Sequence, residues 1–290
     1  MRPSRDQTTA DMLAFPGLDL NFSRRTQPMK SIKRARVVKR RLQGQLRWVH
    51  QRYLGGAGDT VSVDMGGDSR TLLLTFGGLG SFGGVPSFEF GSVTRAIPVK
   101  RLFVRDPHQS WYHRGLPRRG RTLTGVAESL GELLADHEFD RLVVTGNSAG
   151  GYAALAFGTL LGADTVLSFA PQTVLDRDTL AQMNDHRWDW LLGPLTAKGA
   201  LEARWTDLQI ALPQARHADT RYNVYFDETI RGDRLHAERL RGLEGMRFYR
   251  FGHGGHDLVR DLRDCGALER LLREALQTPA PAVPRSGAAR

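Results

Sequence analysis

Two kinds of apolar segment alternate along this chain. Thr60–Asp64, Thr71–Phe76, Arg101–Val104, Leu142–Val144, Thr165–Ala170, Tyr222–Phe226 and Met246–Phe251 are short runs rich in branched or aromatic residues, which is the signature of strands. Between them apolar positions recur every three or four residues. Val126, Leu130, Leu133 and Leu134 form one such stripe, and Leu258, Leu262, Leu268, Leu271 and Leu272 another, read as a single final helix. Thr124 is placed to cap the first of these, and Gly66-Gly67-Asp68 reads as the turn joining the first two strands. Strands separated by helices predict an α/β architecture, a mostly parallel sheet with helices on both faces. One interval breaks the rhythm. Roughly 50 residues, about 171–220, separate two strands, which is too long for a loop and predicts a helical cap insert with a small core of its own.

The two ends differ from the middle. Residues 1–28 have no clear period, and from Ser31 a helical stripe of Ile32, Ala35, Val38, Leu42, Leu46, Val49 and Tyr53 follows. The domains expected are therefore a basic arm and amphipathic helix over 1–58, an α/β domain over 59–277, and a Pro/Ala-rich disordered tail over 278–290. The charge supports that division. The net charge is +10, and between Asn21 and Gly58 there is no acidic residue but eleven Lys and Arg. The basicity belongs to the arm, whose residues 24–52 could contact an acidic surface; a solvated helix face explains the same pattern. A single cysteine, Cys265, precludes an intramolecular disulfide and suits a reducing compartment. No apolar run approaches the roughly 20 residues of a membrane span, and the N-terminus lacks the apolar core of a secretory signal. A cytoplasmic location is expected.

Chemistry concentrates at Arg141–Leu155, RLVVTGNSAGGYAAL. A buried strand runs through Gly146-Asn147-Ser148-Ala149-Gly150-Gly151 into a helix. A G-x-S-x-G between strand and helix is a nucleophile-elbow pattern, in which the glycines permit a crowded turn that lifts the serine hydroxyl to the helix N-terminus. An ordinary tight turn would also use such glycines, so partners are needed. Upstream, a strand enters Gly77-Gly78-Leu79-Gly80, which lacks the Lys and Ser/Thr of a phosphate loop and suits a loop lending a backbone N–H to an oxyanion hole; a purely structural Gly-rich turn is the alternative. Downstream, the last strand is followed by Gly252-His253-Gly254-Gly255-His256-Asp257. His256 is chosen over His253 as the base because two glycines precede it and a helix follows. His113, His186 and His236 are assigned to surface or pocket positions. Asp233, just before a helix after the Tyr222–Phe226 strand, is the chosen acid, with Asp227 and Glu228 as alternatives. Asp106 could anchor the loop after Arg101–Val104, and Trp111, Tyr112, Arg187 and Trp188 are candidate pocket walls. No His pair has metal-ligand spacing, so no metal or cofactor is expected.

The order Ser, then Asp, then His on successive strand ends resembles the α/β-hydrolase superfamily over roughly Thr60 to Leu276. The segments TFGGLG, LFVRDPHQSWY, GNSAGGYAAL, FAPQT and GGHDLVRDLRDCGAL are similar to an uncharacterised bacterial group of such enzymes, some of them associated with surface-polysaccharide proteins. The resemblance implies a serine hydrolase acting on a small-molecule or carbohydrate ester. Ser148, His256 and Asp233 would be nucleophile, base and acid, and Ala149 with Gly78 or Leu79 would supply the oxyanion donors. An acyltransferase to a sugar hydroxyl would use the same site, and a non-catalytic module binding through the basic arm is the competing class. Substrate and oligomeric state are not encoded in these motifs.

Overall fold

The computed structural model describes residues 60–80, 88–215 and 219–277; the arm over 1–58 and the tail over 278–290 lie outside them. Seven strands form one sheet: β1 (Val61–Asp64), β2 (Thr71–Phe76), β3 (Lys100–Val104), β4 (Arg141–Asn147), β5 (Thr165–Phe169), β6 (Arg221–Asp227) and β7 (Met246–Phe251). Their order is β1-β3-β2-β4-β5-β6-β7, parallel throughout except that β1 runs antiparallel to β3 at one edge. The Gly66–Asp68 turn therefore makes no hairpin, because β3 inserts between the strands it connects.

The central strands are apolar at consecutive positions because both faces of the sheet are covered. Leu72 and Leu74 of β2, with Leu142, Val144, Val166 and Val224, join the core on one face. Leu73, Val143, Leu167 and Tyr225 join the core on the other. Helix α1 (Gly91–Thr94) lies on the second face, and α2 (Leu123–Ala135) on the first. The cap of α2 is Thr122, whose hydroxyl accepts the Gly125 N–H at 3.0 Å, not the expected Thr124.

Helix α3 (Ala149–Leu160) is apolar almost all round and buried along nearly its whole length, as expected of a helix enclosed between sheet and neighbours. Between β5 and β6 come α4 (Arg177–Gln182), α5 (Asp189–Ala197), a 3-10 turn (Ala203–Trp205) and α6 (Leu208–Ala215). Their apolar residues do not form a separate core: Leu180, Leu192, Trp205, Leu208 and Leu212 merge with the main cluster. After β6 comes α7 (Arg231–Arg239). After β7, a 3-10 turn at Gly255–Asp257 leads into α8 (Leu258–Asp264) and α9 (Ala267–Gln277), which cover the second face. The single final helix expected from the leucine stripe is two helices, broken at Gly266 with φ 75°. Among the described residues, no helix is long and apolar enough to cross a membrane.

Candidate active site

The carboxyl ends of β4, β6 and β7 lie along the same edge of the sheet, with β5 between β4 and β6, and the segment after each brings one polar side chain to the same place. Between β4 and α3, Ser148 has φ 56° and ψ −118°, in a left-handed region that costs a non-glycine residue about 1–3 kcal/mol. The turn is held by close backbone approach: a Cβ on Gly146 would fall on the Gly150 carbonyl oxygen, and one on Gly150 on the Phe76 carbonyl oxygen. The Ser148 N–H is tied to the Phe169 carbonyl at 2.8 Å, leaving its hydroxyl to face outward from the sheet end.

Ser148 Oγ lies 2.9 Å from His256 Nε2. His256 Nδ1 lies 2.9 Å from both oxygens of Asp233, which sits in the first turn of α7 with a side chain only 1% exposed. The carboxylate keeps the imidazole proton on Nδ1, so Nε2 is free to accept from the serine. Burial pushes the Asp233 carboxyl up, but its bonds from His256 and Arg187 outweigh this and hold it below the usual range. Gly254 (φ 101°) and Gly255 (φ 66°) turn the chain to present His256.

The alternatives fall elsewhere. Asp227 accepts the Gly255 N–H at 2.7 Å and the Thr229 N–H at 2.8 Å, so it fastens the turn that carries His256. His253 pairs with half-exposed Asp261 at 2.9 Å, and Glu228 with Arg250. Of the remaining histidines, His186 is at the surface, but His113 and His236 are fully buried, contrary to expectation, because each ring completes an internal hydrogen-bond chain. Glu202 N–H donates to His113 Nδ1 at 2.8 Å, and the other ring nitrogen lies 2.9 Å from the Tyr152 hydroxyl. Burial pushes His113 down to about 3.

Three expected pocket walls have other work. Asp106 accepts the N–H groups of Ser110 at 2.7 Å and Tyr112 at 2.8 Å, folding the loop so that Trp111 and Tyr112 point inward and are fully buried. Tyr112 donates to the Gly77 carbonyl at 2.9 Å. Arg187 is bound to Asp185 and, at 2.7 Å, to Asp233. Trp188 does reach the site, its ring 5.8 Å from that of His256.

The oxyanion donors also need revision. The Gly78 N–H is taken by Glu89 Oε1 at 3.0 Å, and the Gly77 N–H by Val104. Among the described residues, the N–H groups of Leu79 and Ala149 meet no acceptor. Burial raises the Glu89 carboxyl to about 7, with nearby Asp257 adding to the shift and the Gly78 N–H opposing it.

Two polar contacts were not read from the sequence. Gln172 Nε2 donates to Ser148 Oγ at 3.1 Å while its Oε1 accepts the Trp111 indole N–H at 3.1 Å. Glu89 accepts from the Gly78 N–H of the Gly77–Gly80 loop. Their only signals were a glutamine just past a strand end, in FAPQT, and a lone acid between two phenylalanines, in FEF.

No protein-family model matches this chain, and no curated protein matches it in sequence. Its structure is similar to that of the capsule O-acetyltransferase of Neisseria meningitidis serogroup A, at TM-score 0.56 and 12% identity over 75% of this chain and 91% of that one. Mycobacterium tuberculosis MPT51 (FbpC1) is similar at TM-score 0.51 and 14% identity, over 75% and 93%. A Staphylococcus aureus protein described as a "putative esterase" is similar at 0.50 and 13%, over 87% and 95%. The chain has the α/β-hydrolase fold.

Proposed function

We propose that this chain is a serine hydrolase that cleaves a carboxylic ester through an acyl-enzyme. The observation that carries the reading is the line of contacts from Ser148 Oγ to His256 Nε2 and from His256 Nδ1 to Asp233, each 2.9 Å, with the serine on a strained turn at the sheet's carboxyl end. A serine hydroxyl is a poor nucleophile at neutral pH, so His256 takes its proton as Oγ attacks the ester carbonyl. The N–H groups of Ala149 and Leu79 receive the oxyanion. The alcohol leaves with the proton from His256, giving the acyl-serine. His256 then takes a proton from water, whose oxygen attacks the acyl carbon; as the Ser148 Oγ–acyl bond breaks, His256 gives that proton to Oγ, releasing the acid and restoring Ser148.

Labelling with a fluorophosphonate, followed by mapping of the modified residue, tests the reading without knowledge of the substrate. Attachment at Ser148 is expected. Ser148→Ala is expected to fold normally and lose ester turnover by up to about a million-fold; retained turnover would sink the assignment.

A second reading, in which a hydroxyl of a carbohydrate replaces water, draws support from the similarity to an O-acetyltransferase. Comparing products with and without a polyol acceptor separates the two. The basic arm over 24–52 would add contact with an acidic surface, to be seen as salt-sensitive binding that survives Ser148→Ala and disappears when the arm is deleted. The single cysteine favours a cytoplasmic setting for this enzyme.

A further inference from the structure

Arg187 was expected to face substrate, yet each nitrogen of its guanidinium donates to a carboxylate. Nε and Nη2 donate to the two oxygens of Asp185 at 2.9 and 2.6 Å, and Nη1 donates to Asp233 Oδ1 at 2.7 Å. The two carboxylates are 2% and 1% exposed, and Arg187 is 30% exposed. The guanidinium lies flat on the start of α7 because residue 232 is glycine: a Cβ there would stand 2.6 Å from Arg187 Cζ. Such a fork between two buried carboxylates is a built feature, and it touches the acid that orients His256.

Its charge has a direct consequence. When His256 takes the serine proton it becomes an imidazolium, which the Asp233 carboxylate stabilises. A cation on the other side of Asp233 opposes that, because it leaves the imidazolium facing a neutral pair. Asp185 restores the balance: two carboxylates against one guanidinium leave a single net negative charge beside His256. We propose that Asp185 and Arg187 are positioning residues that together fix the orientation of Asp233 and the net charge experienced by the histidine base; this rests on the reading of Ser148, His256 and Asp233 given above.

Other charges around the cluster do not upset this count. His236 on α7, 3.4 Å from Asp185, accepts the Thr173 N–H at Nδ1, and burial lowers its pKa, so it stays neutral. Arg231 donates to the Met183 carbonyl. Asp227 is held by the Gly255 N–H and Asp257 is paired with Arg260. Glu89, beside Gly78, lies near Asp257 and belongs to the oxyanion side of the site.

The test is the rate of fluorophosphonate labelling of the full chain between pH 5 and 9, read as the pH at which the rate is half lost on the acid side. Asp185→Asn leaves the histidine facing a neutral pair, so the midpoint is expected to move down by about one pH unit, with a slower plateau. Arg187→Gln leaves two carboxylates, and the midpoint moves up by about the same amount. The double variant returns near the wild-type midpoint, which a merely structural role would not produce. Far-UV circular dichroism establishes folding, and either folded single variant suffices because each carries its own sign. If neither folds, Gly232→Ala displaces the guanidinium without changing a charge, and the same upward shift is expected. Labelling at Ser148 with unmoved midpoints, or with both singles moving in one direction, overturns this inference alone. Absence of labelling at wild-type Ser148 overturns the nucleophile reading and this inference with it.

Discussion

At the level of single residues, the contact between Gln172 and Ser148 makes a specific demand. The Trp111 indole fixes the amide so that its NH2 end faces Oγ. An N–H donated to Oγ selects the serine rotamer and stabilises negative charge as the proton departs. A neutral hydrogen bond of about 1.4 kcal/mol corresponds to tenfold in rate, so Gln172→Ala should slow fluorophosphonate labelling about tenfold at pH 8. An unchanged rate would leave Gln172 as mere packing. Glu89 acts with the opposite sign. Its ionisation near pH 7 adds negative charge beside the loop proposed above to receive the oxyanion, so labelling should decline as the pH rises through 7. Glu89→Gln should remove that decline and leave the acid limb in place; a persistent decline would exclude Glu89 as its source. The turns that carry Ser148 and His256 could be read from the sequence because each needs glycines beside it to hold an unusual backbone. Arg187 could not, because its partner Asp233 is 46 residues away and a guanidinium in a sequence does not announce whether it meets substrate or carboxylate.

Among elements, the elbow joins β4 to α3 at a distance only glycine allows. A methyl group on Gly150 would press into the Phe76 carbonyl of β2, and backbone cannot swing aside as a flexible side chain can. Gly150→Ala should therefore destabilise the fold by about 3 kcal/mol or more, read as a lower urea midpoint. Gly193, inside α5 with nothing within 4 Å of its added Cβ, is the matched control; Gly193→Ala should be neutral or stabilise by up to about 1 kcal/mol. Equal losses at the two positions would mean that helix propensity, not close approach, governs both. The central strands were legible because burial on both faces demands continuous apolar runs. The edge was not: the pairing of β1 with β3 is a property of chain path, and four residues of VSVD carry no record of their neighbour. The break between α8 and α9 was hidden because the leucine stripe continues across Gly266, so periodicity alone joined two helices that the backbone separates.

Over the whole molecule, buried titratable groups of opposite sign make stability depend on pH in a way that can be worked out. Burial depresses His113 to about 3, while an unfolded chain binds that proton near 6.5. Below pH 6.5 the unfolded state takes up a proton that the native state refuses. Stability present at neutral pH is therefore lost as the pH falls toward 3, at up to about 1.4 kcal/mol per pH unit. His236, also lowered by burial, contributes with the same sign. Glu89 opposes them. Its native carboxyl keeps a proton up to about 7, whereas the unfolded one releases it near 4.3, so across that interval acidification favours the native state by a similar slope. Between about pH 6.5 and 4.3 His113 and Glu89 nearly cancel, leaving His236; below 4.3 the histidines act unopposed, and Asp185 and Asp233, both held below the usual carboxylate range, add to the loss. Urea midpoints measured from pH 7.5 to 4.5 test this ledger. Glu89→Gln should steepen the acid loss, and His113→Gln, which can still accept from Glu202 and donate to Tyr152, should flatten it, each by about 1.4 kcal/mol per pH unit. If His113→Gln keeps the wild-type slope, His113 is not the source of the acid loss, and the slope must come from other groups such as His236.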